Sequence, residues 1–344
     1  MSVVLARARA PLAGRGGTFA LAVLVALIAV VFIRKAAPSG PFFFTQILVF
    51  GVAQGATFAL IALGYTMVYG IIELINFAHG DVVTLGAFFS VTLFAVFGLQ
   101  EDQPLGVAGW GELVLVFAIS MLLCGIVNVG IERVAYRPLR NAPRLAVLIT
   151  AVGMSFVLEG VMYLWKGASQ IHVPDLLPGQ RVPLGGGATV GVKDLIVIAI
   201  TIVLVIALNL FIELTKMGKA MRATAQDRDA AQLMGIDINR TIAATFFIGA
   251  VLAAAGGTIR GLEFNSVYFQ DGFRLGLFAF TAAVFGGIGN IQGAALGGLF
   301  IGMVKSFGDA YFSTTWTDIY IFAILILVLV FRPTGLLGMR VPEK

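Results

Sequence analysis

Charge is scarce in this sequence. Asp, Glu, Lys and Arg make up only 12% of its 344 residues, where soluble globular domains carry about 25%. Hydrophobic residues make up 59%, so a water-soluble enzyme core is excluded. Intrinsic disorder, which needs low hydrophobicity and high net charge, is excluded too. Cysteine is nearly absent: Cys124 stands alone inside an apolar run, so no disulfide framework exists within the chain. Histidine is limited to His79 and His172, with no CxxC or HExxH spacing, which is too few ligands to close a zinc site. No metal and no cofactor are expected. A phosphate loop is missing as well: Gly218-Lys219 is followed by Ala220, and Glu213 stands where the first glycine should be. The glycine run 286–289 fails the dinucleotide fingerprint, with Gln292 in the place of its last glycine. Close helix packing or a helix break explains that run better, and any nucleotide energy must come from another chain.

What the sequence has in abundance is long apolar runs. A helix needs about 20 mostly apolar residues to cross a bilayer. Runs that approach this are Thr18–Ile33, Phe42–Ile71, Val82–Gly98, Glu112–Ile131, Leu145–Trp165, Asp194–Leu214, Thr241–Leu262 and Asp318–Phe331. Two shorter ones, Leu275–Gly289 and Ala294–Gly308, flank a Gly-Asn-Ile-Gln-Gly break. Fifteen residues reach only about 22 Å, so this pair is two short spans or two halves of a broken helix. The expected fold is all-α: a polytopic membrane helix bundle of eight spans plus the short pair, forming one transmembrane domain over residues 1–344. The first run, with its Arg-rich flank and Ala36-Ala37, also fits a signal peptide; a plain first helix is the simpler reading.

The basic residues are scattered between the apolar segments, which speaks against nucleic acid and for membrane orientation. If the short pair counts as two spans, loops alternate sides. The N-terminal side then collects 15 of the 23 Lys and Arg, among them Arg133, Arg137, Arg140, Arg144, Lys216, Arg228 and Arg240. The other side holds Arg34, Lys35, Lys166, Arg181, Lys193 and Arg274, and Arg260 and Lys305 lie within apolar runs. The positive-inside rule therefore puts both termini in the cytoplasm. Trp110, Trp165 and Trp316 fall at predicted outer span ends and read as interfacial anchors. The two longest polar stretches are an extracytoplasmic loop over 166–193 and a cytoplasmic loop over 215–240.

The cytoplasmic loop is rich in Ala, Gln, Met and Leu, good helix formers, and Gly235 suits a left-handed cap. One helix is expected from about Arg222 to Met234. Its spacing Asp229-Ala230-Ala231-x-x-x-Gly235 resembles the Glu-Ala-Ala-x-x-x-Gly signature of permease subunits of ATP-binding-cassette importers, whose cytoplasmic helix docks into a cleft on the ATPase subunit. Asp229 departs from the usual Glu, which keeps the charge and shortens the reach. A solvated connecting helix on the membrane surface is the plain alternative.

Four strings, the loop among them, narrow the resemblance. INFAHGD at Ile75–Asp81 followed by LGAFFS, ERVAYRPLR at Glu132–Arg140, the loop just described, and FGGIGNIQGAALGG at Phe285–Gly298 are similar to those of branched-chain amino-acid permeases of the LivH type. They stand in the family's order across most of the chain. The resemblance implies an inner-membrane, multi-pass permease subunit importing branched-chain or related small amino acids. It also implies ABC ATPase subunits, a second related permease subunit and an extracytoplasmic solute-binding protein as partners. Other amino acids, urea and small amides stay open as solutes. A self-sufficient channel or ion-coupled transporter is the rival reading, and it would place acids along the central spans, where only Glu159 stands out. A membrane-embedded enzyme would need a nucleophile with a base or a metal cluster, and none is visible.

Polar residues at membrane depth are functional candidates by default. Asn76, His79, Gly80 and Asp81 follow a 30-residue run too long for one upright crossing, so the chain is expected to break or tilt before Val82 and leave them as pathway wall or gate. Helix capping is the structural alternative. Asn290 and Gln292 occupy the second break and form a faint echo of the first, as in transporters with repeated interrupted helices. Arg222, Asp229, Ala230, Ala231 and Gly235 are assigned to ATPase coupling. Arg260 and Glu263, spaced i, i+3, are expected to form a local ion pair. Lys305 is expected to snorkel.

Overall fold

The computed structural model describes residues 40–72, 76–101, 106–140, 142–185, 188–331 and 334–338, together with Arg34. The expected span Thr18–Ile33 lies outside the described residues. The chain is overwhelmingly helical, as its apolar runs require: inside a bilayer the backbone can satisfy its hydrogen bonds only within helices or a closed barrel. Among the described residues the helices are α1 (Gly40–Ile72), α2 (Ala78–Phe97), α3 (Val107–Ile131), α4 (Arg144–Lys166), α5 (Val192–Leu214), α6 (Lys216–Gln226), α7 (Arg228–Leu233), α8 (Ile238–Phe264), α9 (Asp271–Gly286), α10 (Ile291–Tyr311) and α11 (Thr317–Phe331). Four short strands decorate one end: β1 (Ile171–His172) pairs antiparallel with β4 (Ser266–Val267), and β2 (Arg181–Gly185) with β3 (Ala188–Gly191).

Among the described residues, seven helices are long and apolar enough to cross a membrane. Six match expected spans. The seventh is α10, which at 21 residues is a full span rather than half of a broken helix. Its partner α9 has 16 residues and α11 has 15, so both are short. Between α9 and α10 the chain turns through Gly287 and Gly289, both at positive φ, and the two helices then pack as a hairpin. Gly286 and Gly293 meet backbone to backbone there, and Phe285 stacks on Phe300 at 4.2 Å. The glycine run thus serves as both turn and close packing.

The inner helices are separable from the outer ones by burial. The most apolar stretch of α1 is 78% buried and that of α5 only 22%. α1 is the axis, and its largest interface is with α10. That interface is antiparallel and built from small residues. Gly51, Gly55 and Ala59 on α1 face Ser306, Gly302 and Gly298 on α10, and Ser306 Oγ donates to Ile47 O at 2.9 Å. Small-xxx-small spacing on both helices lets their backbones touch, which drives helix association where no hydrophobic effect operates. On the outer side, α3, α5 and α8 frame an apolar groove of about 640 Å³ bordered by Trp110, Phe117, Ile200 and Phe247.

α1 runs unbroken for 33 residues, about 50 Å. The chain leaves α1 at Ile72, as the length argument placed it, and α2 begins at Ala78, before the expected Val82. α3 is prolonged by a π turn, Glu132–Tyr136, and a 3₁₀ turn, Arg137–Leu139. Pro138 explains the ending, since it has no N–H to continue the α pattern.

Candidate functional site

Two polar regions sit at opposite ends of the bundle. One gathers the end of α1, the end of α3, the start of α8 and the helices α6 and α7. The expected single loop helix is two helices here. Asp227 adopts extended backbone (φ −156°), and its Oδ1 accepts from the N–H groups of Asp229 and Ala230 at 2.9 and 3.0 Å. A side chain that caps so well starts a new helix rather than continuing the old one. α6 is capped in the same way by Thr215, whose Oγ1 accepts from Gly218 N at 3.0 Å. Arg222 therefore belongs to α6, where it donates to Ile212 O at 2.9 Å. Asp229, Ala230 and Ala231 belong to α7. Gly235 ends α7 at φ +84°, with Ile236 N donating to Ala231 O at 3.1 Å, a glycine cap as expected.

Asp229, Ala230 and Gly235 are exposed and Ala231 is buried. Leu233 and Met234 at the tip are 89% and 83% exposed, an apolar pair beyond the bilayer span with nothing packed on it. Arg228, which sequence reasoning did not single out, ties α7 to the bundle: its Nε and Nη2 donate to Ile71 O at 3.1 and 2.5 Å. That carbonyl is one of the orphan acceptors at the end of a helix. Beside it, Arg140 joins the buried Glu132 to Asn239 on α8, the latter at 2.6 Å. Burial pulls the Arg140 guanidinium below its ordinary value, and the Glu132 carboxylate opposes that pull.

Of the INFAHGD residues, Asn76 and Phe77 stand in the break between helices, whereas His79, Gly80 and Asp81 are already helical. His79, Gly80 and Asp81 form the first turn of α2 and are fully buried or nearly so, with Asn76 3% exposed just before it. Tyr136 donates to Asn76 Oδ1 at 2.6 Å, tying this turn to the π segment of α3. The His79 ring lies edge-on to Tyr65 at 4.6 Å and beside Gly64. Ser155 on α4 donates to Asp81 Oδ2. Gly80 is met by the backbone of Gly272 and Gly276 on α9. The turn is thus a buried polar junction of α1, α2, α3, α4 and α9, and it borders neither the apolar groove nor the cavity described below.

Asn290 and Gln292 lie apart from that junction. Asn290 caps α10, its Oδ1 accepting from Gly293 N at 3.0 Å, and its Nδ2 donates to Leu337 O at 2.8 Å. It thereby pins the turn 334–338 beneath α9 and α10. Gln292 is exposed. Asn290→Ala should cost about 1 kcal/mol for the lost cap and release residues 334–338. A lower melting temperature with faster amide exchange at Leu336 and Leu337 is the expected readout.

The second polar region is a cavity of about 240 Å³ between α1, α8, α9 and α10 and the start of α11, at the end of the bundle away from α6 and α7. Its charged lining includes Arg260, Glu263, Arg274, Lys305 and Asp309. The expected Arg260–Glu263 ion pair is absent: both Glu263 oxygens are buried without a hydrogen-bond partner. The Arg260 guanidinium lies on the Phe264 ring at 3.6 Å. Lys305 pairs with Asp309 at 2.7 Å.

Known proteins agree with this architecture. The family model described as branched-chain amino acid transport system, permease component, matches residues 47–329. The chain is 43% identical over 307 residues to the high-affinity branched-chain amino acid transport system permease protein BraD of Pseudomonas aeruginosa, covering 88% of this chain and 98% of that protein. It is 42% identical over 305 residues to the corresponding permease protein LivH of Escherichia coli K12, with the same coverage. A probable branched-chain amino acid transport permease protein LivH of Methanocaldococcus jannaschii is 28% identical over 81% of this chain and 88% of its own. This chain is a multi-pass membrane permease and a member of the branched-chain amino acid transport system permease family.

Proposed function

We propose that the chain is one permease subunit of an ATP-driven importer of branched-chain amino acids. In this reading it works with a second related permease, ABC ATPase subunits and an extracytoplasmic solute-binding protein. The observation that carries the coupling part is the tip of α7: two large apolar side chains, Leu233 and Met234, held out in the open beyond a capped six-residue helix. Such a knob is costly in water unless a partner covers it, and a cleft on an ATPase subunit would. The excess of basic residues on that face supports a cytoplasmic location for it. Asp229 and Ala230 then line the docking surface, Ala231 and Gly235 shape it, and Arg222 anchors the preceding helix.

For Asn76, His79, Gly80 and Asp81 we propose the part of a gate. Their polar groups are sealed between five helices, and glycines 64, 80, 272 and 276 allow those helices to slide at close range. Asn290 holds the neighbouring hairpin in place, and Gln292 faces outward beside it. The chain carries no phosphate loop, so hydrolysis rests with the partner.

Purification of the tagged chain from its native membrane should bring down a P-loop ATPase and a sister permease. Gly235→Pro should lose the ATPase, because proline fixes φ near −65° where the cap needs +84°. Proteoliposomes holding the whole complex should accumulate leucine only with ATP inside and the binding protein outside. Recovery of the chain alone, or uptake that follows an ion gradient instead of ATP, would overturn the importer reading in favour of a channel or ion-coupled carrier.

A further inference from the structure

The cavity between α1, α8, α9 and α10 holds charges of both signs, and most of them are already matched. Arg274 donates to Asp318 from Nε and Nη2 at 3.0 and 2.8 Å. Lys305 pairs with Asp309, whose other oxygen accepts from Thr317. Asp271 accepts from Tyr268 N at 3.0 Å. Three groups are left over. Arg260 Nη1, both carboxylate oxygens of Glu263, and Oε1 of Gln54, a residue only 4% exposed, are buried without partners.

Uncompensated charge in a protein interior is expensive, and a charge at membrane depth is tolerated where it faces a cavity or a partner. Arg260 and Glu263 stand one helical turn apart on α8 and feel each other's charge, yet no hydrogen bond joins them. Phe264 carries the face of the Arg260 guanidinium, which leaves its edge donors for a planar acceptor. Part of the wall is apolar, with Phe58 and Phe278 packed edge-to-face at 5.9 Å and Leu275 also lining the cavity.

We infer that this cavity is an amino-acid subsite, in which Arg260 holds the α-carboxylate, Glu263 the α-ammonium, and Phe58, Leu275 and Phe278 the aliphatic side chain. The inference rests on the importer reading above and adds the atoms that recognise the solute. A zwitterion brings one donor group and one acceptor group, which matches the two charged groups left without hydrogen-bond partners. At about 240 Å³ the space lies below the roughly 300–1,000 Å³ of drug-sized sites, as suits one small molecule. Gln54 Oε1 offers a second acceptor for the ammonium. The site is reached from the end of the bundle away from α6 and α7, where a binding protein would release its cargo.

The test uses the complete permease–ATPase complex in nanodiscs, without the binding protein, and radiolabelled leucine as probe. Isopentylamine, which lacks the carboxylate, and 4-methylpentanoate, which lacks the ammonium, serve as competitors. Leucine should bind saturably, and each half-ligand should compete poorly. Glu263→Gln should weaken leucine about tenfold, the loss of one charge-assisted contact, and leave 4-methylpentanoate unchanged. Arg260→Gln should weaken leucine and 4-methylpentanoate and leave isopentylamine unchanged. A purely structural role would lower all three together. The wild-type competition pattern decides the matter even if a variant fails to assemble: half-ligands that compete as well as leucine overturn the subsite. So does absence of leucine binding in a complex that imports leucine with ATP. Selective leucine binding in a complex whose uptake ignores ATP would instead leave the subsite standing and bring down the importer reading.

Discussion

Gly302→Val should remove the folded permease altogether. A Cβ at Gly302 would fall on the Cα and N atoms of Gly55, backbone of the neighbouring helix that no rotamer change can move. Relief requires α1 and α10 to separate, and they form the largest helix–helix interface among the described residues. Overpacking typically costs 1–3 kcal/mol, occasionally more, and valine adds two methyl groups beyond the Cβ. Separation also forfeits the contacts of Gly51, Ala59, Gly298 and Ser306 along the same seam. The cost should therefore sit at or above about 3 kcal/mol, a large part of the roughly 5–15 kcal/mol that holds a typical protein folded. Size-exclusion chromatography in mild detergent should show aggregate in place of a monodisperse peak, and membrane yield should collapse. Gly302→Ala should move both readouts in the same direction by less. Gly153→Val is the control, since Gly153 on α4 is exposed with nothing within 4 Å of an added Cβ. A folded, monodisperse Gly302→Val protein would refute the α1–α10 seam.

That seam shows where the sequence is legible and where it is not. The apolar runs announce helices because 20 consecutive apolar residues have few other fates, and six expected spans stand within a few residues of their places. The pairing of helices is harder, because lipid is as apolar as Leu and burial no longer marks the inner face. The small-xxx-small spacings at 51 and 55 and at 298 and 302 are nonetheless written in the chain, and they were the available signal. Helix boundaries were legible at one break and not at the other. α1 was too long for one upright crossing, which suggested a break before Val82, and α1 does end at Ile72 with α2 starting at Ala78. α10 was cut short because its glycines resembled an interruption. In the loop, Asp227 was a strong N-cap type in mid-segment, and its capping splits one expected helix into α6 and α7. The ion pair expected of Arg260 and Glu263 followed from spacing alone. What spacing cannot show is that α1 and α9 close over the same face of α8 and make a cavity there. Arg228 was invisible for the same reason, its partner lying 157 residues away.

Arg228→Ala should uncouple the transporter while leaving it assembled. Leu233 and Met234, proposed above to dock, and the cap at Gly235 do not involve Arg228, so on that proposal the ATPase should still bind and hydrolyse ATP. What is lost is the link from α7 to the last carbonyl-bearing turn of α1. In the structure that link is the pair of hydrogen bonds to Ile71 O. Hydrogen bonds from a charged donor contribute about 1.5–3 kcal/mol. If α7 moves with the ATPase, this is the connection that carries the movement into the axial helix, and from there to the junction at His79, which rests against Gly64 of α1. Losing it should cut leucine uptake per ATP hydrolysed roughly ten- to a hundredfold, the rate equivalent of that energy. Arg228→Lys should recover only part, because an ammonium on a flexible stem cannot reproduce the planar, two-donor grip. Uptake and hydrolysis measured side by side in proteoliposomes separate the outcomes. Parallel loss of both would place Arg228 in docking rather than transmission, and normal uptake per ATP would show that α1 is driven through α8, which also packs on α6 and α7.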